Sequence, residues 1–156
     1  MVIIDIEASG LSDDSYPIEV AWQHRFNPSL FDTFLIKPAS TWTHWDSYAE
    51  HSVHRIPRAE LLINGIDVVT AARRLNDQLA HQVVYSDCVD KDRFWLSRLY
   101  QAAKMEPAFD IRSVLTLLPP EKDMSVCMRL DSQAVQHRAL EDVKGIIRIL
   151  NFVSPD

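Results

Sequence analysis

Glycine is scarce in this chain, with only Gly10, Gly65 and Gly145 present. Neither a Walker A loop nor a GxGxxG dinucleotide fingerprint can be written with them, which excludes two large nucleotide-binding enzyme classes. Cysteine is equally sparse. Cys88 and Cys127 form no CxxC pair, so neither a zinc site nor a disulfide framework is expected and both read as ordinary reduced thiols. No apolar run approaches the ~18 residues of a membrane span, and the N-terminus lacks the basic-then-apolar build of a signal peptide. A soluble, cytoplasmic protein with no membrane partner is expected. Positive charge is also in deficit: 16 Lys and Arg face 22 Asp and Glu, a net charge of -6. Affinity for long duplex comes from basic side chains releasing counterions, so such a substrate fits poorly. A short or single-stranded nucleic acid, held at its end, fits better.

What is present suits one folded unit. With 156 residues, 47% of them hydrophobic, the chain can bury a sizeable core. No linker, repeat or low-complexity tract divides it, so residues 1–156 read as a single domain. Strand patterns run over 2–7, over 17–24 with Ile18, Val20 and Trp22 alternating, and over 31–37 with Phe34 and Ile36. Joined by short turns, these predict an antiparallel meander. The stretch from Pro38 to Gly65 is irregular, carries Trp42, Trp45 and Tyr48, and is expected to hold short helices bordering a site. Helical spacing returns from Asp67, a plausible N-cap, to His81. QVVYS then reads as a buried strand, DRFWLSRLYQAA as a helix with Leu96, Leu99 and Ala103 inward, and Arg138 to Val153 as a last helix. That alternation adds parallel strands to the meander. The expectation is an α/β fold with a mixed five-stranded sheet flanked by helices.

The chemistry is concentrated at the two ends. Asp5 and Glu7 lie two apart in VIIDIEASGL, so a strand would project both carboxylates from one face. Their mutual repulsion, inside an otherwise apolar strand, is relieved by a cation, and hard oxygen donors of this kind suit Mg²⁺ or Mn²⁺. His137 and Asp142 stand in HRALEDV. On one continuous helix they would diverge by about 140° at ~3.6 residues per turn. Both can enter one cleft only if His137 lies on the loop before the helix.

This constellation resembles the DEDDh 3′-to-5′ exonucleases, the group that includes ribonuclease T, oligoribonuclease and the proofreading subunit of DNA polymerase III. The resemblance rests on Asp5-x-Glu7 followed by Gly10-Leu11, on PIEVAW as second strand, on HSVHRI as the family's His-Gly-Ile turn, on FDIRSVLTLL, and on His137-Arg138-Ala139-x-x-Asp142. Two departures stand out: Arg55 occupies the glycine position of His-Gly-Ile, and YSDCVDKD replaces the usual His-Asn before the middle aspartate. The resemblance implies a ribonuclease H-like fold and two divalent cations. It implies Asp5, Glu7, Asp142 and a middle aspartate as metal ligands, and His137 as general base.

The middle aspartate is Asp92, Asp90 or Asp87. Counting back from the family's pattern favours Asp90, whereas the large apolar pair that should follow favours Asp92, three residues before Trp95. The implied reaction is hydrolysis of single-stranded DNA or RNA from the 3′ end to nucleoside 5′-monophosphates, with a homodimer allowed. Two other readings compete: a non-catalytic nucleic-acid-binding or partner-docking module of the same fold, and a phosphodiesterase restricted to short oligonucleotides. Further expectations attach to single residues. Trp42, Trp45 and Tyr48 are read as core with stacking on bases as the alternative. Leu11 is read as core or as a wedge against the terminal base, and Asp110 as a helix N-cap.

Overall fold

The computed structural model describes residues 1–118 and 137–154. Cys127 therefore lies outside the described residues. The sheet has five strands, β1 (Val2–Ala8), β2 (Pro17–His24), β3 (Asn27–Leu35), β4 (Val83–Ser86) and β5 (Asp110–Ser113), in the order β3-β2-β1-β4-β5. The first three form the antiparallel meander, and β4 and β5 join β1 in parallel. Between β3 and β4 come a single π-helical turn (Ala49–Val53), α1 (Arg58–Asn64) and α2 (Val68–Leu79). After β4 come α3 (Val89–Ala103), a 3₁₀ turn (Val114–Leu117) that follows β5, and α4 (Ala139–Val153). The third strand starts and ends earlier than the 31–37 expected, because the exposed turn at Phe26 lets pairing begin at Asn27.

Alternation along β1 decides where everything else sits. Val2, Ile4 and Ile6 face one layer, in which α2 contributes Ala72, Leu75 and Leu79 and α3 contributes Leu96, Leu99 and Ala103. Ile3 faces the opposite layer with Ala21, where α4 packs Val143, Ile146 and Leu150. Asp5 and Glu7 follow Ile3 by the strand's period of two, so both carboxylates emerge on the α4 side. Truncating a fully buried anchor such as Leu99 or Leu150 would cost about 2–5 kcal/mol.

The helix ends have identifiable fasteners. Asp67 caps α2 as expected, accepting from the backbone N–H groups of Val69 and Thr70 at 3.0 Å. α4 carries no side-chain cap of its own at Arg138. Its first N–H, from Ala139, donates instead to Oε2 of Glu19 on β2 at 3.0 Å. Asp110 does not cap a helix: it opens β5, is exposed and pairs with Arg112, while the Ser113 hydroxyl caps the 3₁₀ turn. Among the described residues no helix is long and apolar enough to cross a membrane.

Candidate active site

Beyond the carboxyl ends of β1 and β4 lies a cleft of about 600 Å³, the position where ligands bind in open α/β sheets. Asp5, Glu7, Asp87, Asp92, His137 and Asp142 all line it. The sequence-expected site residues, drawn from both ends and the middle of the chain, are thus brought together by the fold.

Their environment is set by burial and like charge. Glu7, from the end of β1, is buried and pushed up from 4.5 to about 8, first by burial and then by Asp142, to which it is hydrogen-bonded. Asp92 is pushed up to about 8 chiefly by burial, against the pull of a hydrogen bond from the Ser86 hydroxyl. Asp5 stands between these two and is raised well above the usual carboxylate range by burial, then by Asp92 and Glu7. Carboxyl groups so placed must shed charge by taking protons or a cation. The donor set is all hard oxygen with one imidazole, which fits Mg²⁺ or Mn²⁺.

Burial separates the three middle aspartates. Asp92, in the first turn of α3, is 1% exposed and receives the Ser86 Oγ–H at 2.5 Å. Asp90 points away from the cleft; its side chain is 95% exposed and pairs with Arg93 at 3.8 Å. Asp87 lines the cleft, and burial raises its pKa.

His137 lies on the loop immediately before α4, with a left-handed φ of 48°. That backbone turn resolves the angular conflict with Asp142, which sits inside the helix. Ligand atoms of Glu7, His137 and Asp142 all lie within 4.8 Å of one another, close enough to share one ion. Burial and the nearby Arg55 lower the His137 pKa, which leaves the ring neutral and able to accept a proton near neutrality.

The wall facing α3 is the irregular segment after β3. It docks on the Ser9-Gly10 turn, where Asp46 N–H donates to the Ser9 carbonyl at 2.9 Å and His44 Nδ1 lies 3.0 Å from the Ser9 hydroxyl. Gly10 has a φ of 149°, and a Cβ there would meet His44 Cε1 at 2.7 Å and Asp46 Cβ at 2.9 Å, so no larger residue fits. Arg55, at the family's glycine position, nevertheless adopts a φ of 56°, a conformation that costs a non-glycine about 1–2 kcal/mol. His54 is buried at the cleft, its Nδ1 accepting from Ile56 N–H at 3.0 Å. Trp42 is core, stacked on Tyr16 at 4.9 Å, and Trp45 packs edge-on against His54. Tyr48 and Leu11 are instead exposed at the cleft, 72% and 71%, so Leu11 is no core residue.

Two further residues, Ser86 and Glu19, support the site without a motif to mark them. Ser86 closes β4, and its hydroxyl bridges Asp92 and the Cys88 N–H. Glu19 is a polar residue of β2 whose partners, Arg138 and Ala139, lie at the far end of the chain.

No family model matches the chain, and no curated protein matches it in sequence. Solved structures do match. The zinc-bound complex of E. coli exonuclease I with single-stranded DNA aligns at a TM-score of 0.73 and 14% identity, covering 99% of this chain and 40% of that one. The chain shares the fold of the matched part of exonuclease I. A complex of the E. coli enzyme with a dA16 oligonucleotide gives the same TM-score and identity. The apo form of exonuclease I gives 0.72 at 14% identity. This is the mixed-sheet, ribonuclease H-like fold, and the chain spans about two-fifths of the length of the exonuclease I chains it matches.

Proposed function

We propose that this protein is a metal-dependent 3′-to-5′ exonuclease acting on single-stranded nucleic acid and releasing nucleoside 5′-monophosphates. The observation that carries the reading is the convergence of Asp5, Glu7, Asp92, Asp142 and His137 on one cleft, with carboxyl pKa values raised by burial and mutual repulsion. Exonuclease I, whose fold the chain shares, has been solved with single-stranded oligonucleotides, which supports the substrate class.

Asp5, Glu7, Asp92 and Asp142 would hold two divalent cations, Mg²⁺ or Mn²⁺. Bound there, such ions neutralise the scissile phosphate and stabilise charge on the attacking and leaving oxygens. The chain's own residues supply the rest. The Ser86 hydroxyl fixes the orientation of Asp92, so one carboxylate oxygen is committed to it and the other is left for the cleft. His137, neutral near pH 7, takes a proton from water as general base. The apolar faces of Leu11 and Tyr48 at the mouth offer contact for a terminal nucleotide. Lys91, the one Lys or Arg lining the cleft among the described residues, donates to the Leu11 carbonyl at 3.2 Å. So little positive charge suits a substrate held by its end.

Hydrolysis of a dinucleotide, a single strand of about twenty nucleotides and a closed circular single strand tests the reading. Stepwise shortening of the linear strand with an intact circle is expected. Rapid cutting of the circle would make the protein an endonuclease, turnover of the dinucleotide alone would make it an oligonucleotide phosphodiesterase, and binding without turnover of any substrate would make it a binding module.

A further inference from the structure

Glu19 is a buried carboxylate with no place in the ligand set, yet both its oxygens are fully engaged. Oε1 accepts from Arg138 Nη2 at 2.7 Å and Nε at 3.2 Å, and Oε2 accepts from Arg138 Nε at 3.1 Å and from Ala139 N–H at 3.0 Å. Its neighbour across the antiparallel register is Glu7. His137 immediately precedes the residue it grips, and Asp142 lies one turn further along the helix. One side chain on β2 therefore ties the first turn of α4 to the strand beside Glu7. We propose that Glu19 is the positioning residue of the site, setting the α4 N-terminus so that His137 and Asp142 face Glu7 at metal-binding distance.

A purely stabilising role accounts poorly for this arrangement. An ion pair with one buried and one half-exposed partner adds little net stability, and the helix already has an apolar anchor in Val143, Ile146 and Leu150. Glu19 also puts another negative charge beside Glu7, in a cleft already crowded with carboxylates. What the carboxylate provides that an apolar residue cannot is geometry. The planar guanidinium fork and the Ala139 N–H fix both the distance and the rotation of the helix start. The approach of Asp142 and His137 to Glu7, all within 4.8 Å of one another, is sensitive to both.

The inference rests on the metal reading of the cleft, and its test separates the two. Mn²⁺ alone is titrated calorimetrically into the unmodified protein, Glu19→Ala, Glu19→Gln and Arg138→Met, with melting temperatures recorded and kcat and KM measured on a single strand. Residues that orient metal ligands typically govern about 10- to 100-fold in affinity. Glu19→Ala should weaken Mn²⁺ binding by at least about tenfold and lower kcat with KM nearly unmoved. Glu19→Gln, which keeps an acceptor for Ala139 N–H, should recover most of the affinity. Should Glu19→Ala fail to fold, Arg138→Met decides, since that side chain is 46% exposed and Glu19 keeps its bond from the Ala139 N–H. Unmodified Mn²⁺ affinity in the folded variants, whatever their melting temperatures, would overturn the positioning role. No Mn²⁺ binding by the unmodified protein would overturn the metal reading itself, and this inference with it.

Discussion

Asp92 and Glu7 reach the same condition by different constructions. Both are pushed up to about 8, largely by burial. Asp92 is held by a hydroxyl six residues away, where β4 turns directly into α3. Glu7 is hydrogen-bonded to Asp142 from the opposite end of the chain, with His137 within 4.8 Å, at the start of a helix fastened to the sheet through Glu19 and Arg138. The α3 half of the cleft is therefore a local turn, complete once one strand-helix junction forms. The α4 half exists only after a long-range docking event. Loss of a single contact should disturb the second half more widely than the first.

The largest effect is expected where the halves meet. Asp5→Ala removes the carboxylate that repels both Glu7 and Asp92, and hydrolysis should fall by about 10³-fold, with melting without metal unchanged or slightly raised because a repelling charge is gone. Circular dichroism melts beside a 5′-labelled single-strand assay check this. Loss of activity accompanied by a collapsed melt would reduce Asp5 to a structural role.

Within the α4 half, His137→Ala should slow turnover by about 10²- to 10⁴-fold while Mn²⁺ affinity changes little. Because His137 lies within ligand distance of Glu7 and Asp142, calorimetry decides its part. A large fall in affinity would recast it as a ligand.

Within the α3 half, Asp92→Ala should show the dominant loss of the three middle aspartates, and Asp90→Ala should be near normal, given its 95% exposed side chain. Steady-state assays of the three alanine variants, Asp87→Ala included, rank them. Near-normal turnover in Asp92→Ala would contradict the local construction.

A further effect is thermodynamic and involves both halves. Glu7 and Asp92 titrate near 8 when folded, against ordinary values of 4.5 and 3.8, so the folded chain holds protons that the unfolded chain has released. Stability from these groups is complete below their ordinary values and is lost as pH rises to about 8. Without metal, the melting temperature should fall between about pH 5 and pH 8, by about 2–4 °C per kcal/mol lost. Mn²⁺ should reverse the fall, and Asp92→Asn should flatten it. A flat profile in the unmodified protein would mean that neither half stores the repulsion described.

The same contrast explains what could be read in the sequence. Asp5 and Glu7 were legible because a strand's period of two puts both on one face. His137 and Asp142 were legible because their five-residue spacing demands a helix that starts between them, and α4 starts at Ala139. The meander, the parallel strands and the Asp67 cap followed from alternation, spacing and capping chemistry. YSDCVDKD was ambiguous because three aspartates in six residues share one local pattern, and only burial against the end of β4 distinguishes them. Glu19 and Ser86 were invisible for a related reason: a polar residue in an apolar strand acquires meaning only from partners that the chain brings from elsewhere. Asp110 was misread because an acidic residue before an apolar run suits a strand start as well as a helix cap.

A crystal structure grown with Mn²⁺ and a nucleoside 5′-monophosphate, read by anomalous scattering, bears most directly on the central claim that this cleft is a two-cation hydrolytic centre. Two Mn²⁺ peaks ~3.5–4 Å apart are expected, with Asp5 touching both, Glu7, Asp92 and Asp142 completing the ligands, and His137 bound to neither. A single ion held by Glu7, His137 and Asp142, with Asp5 and Asp92 unligated, would contradict that claim.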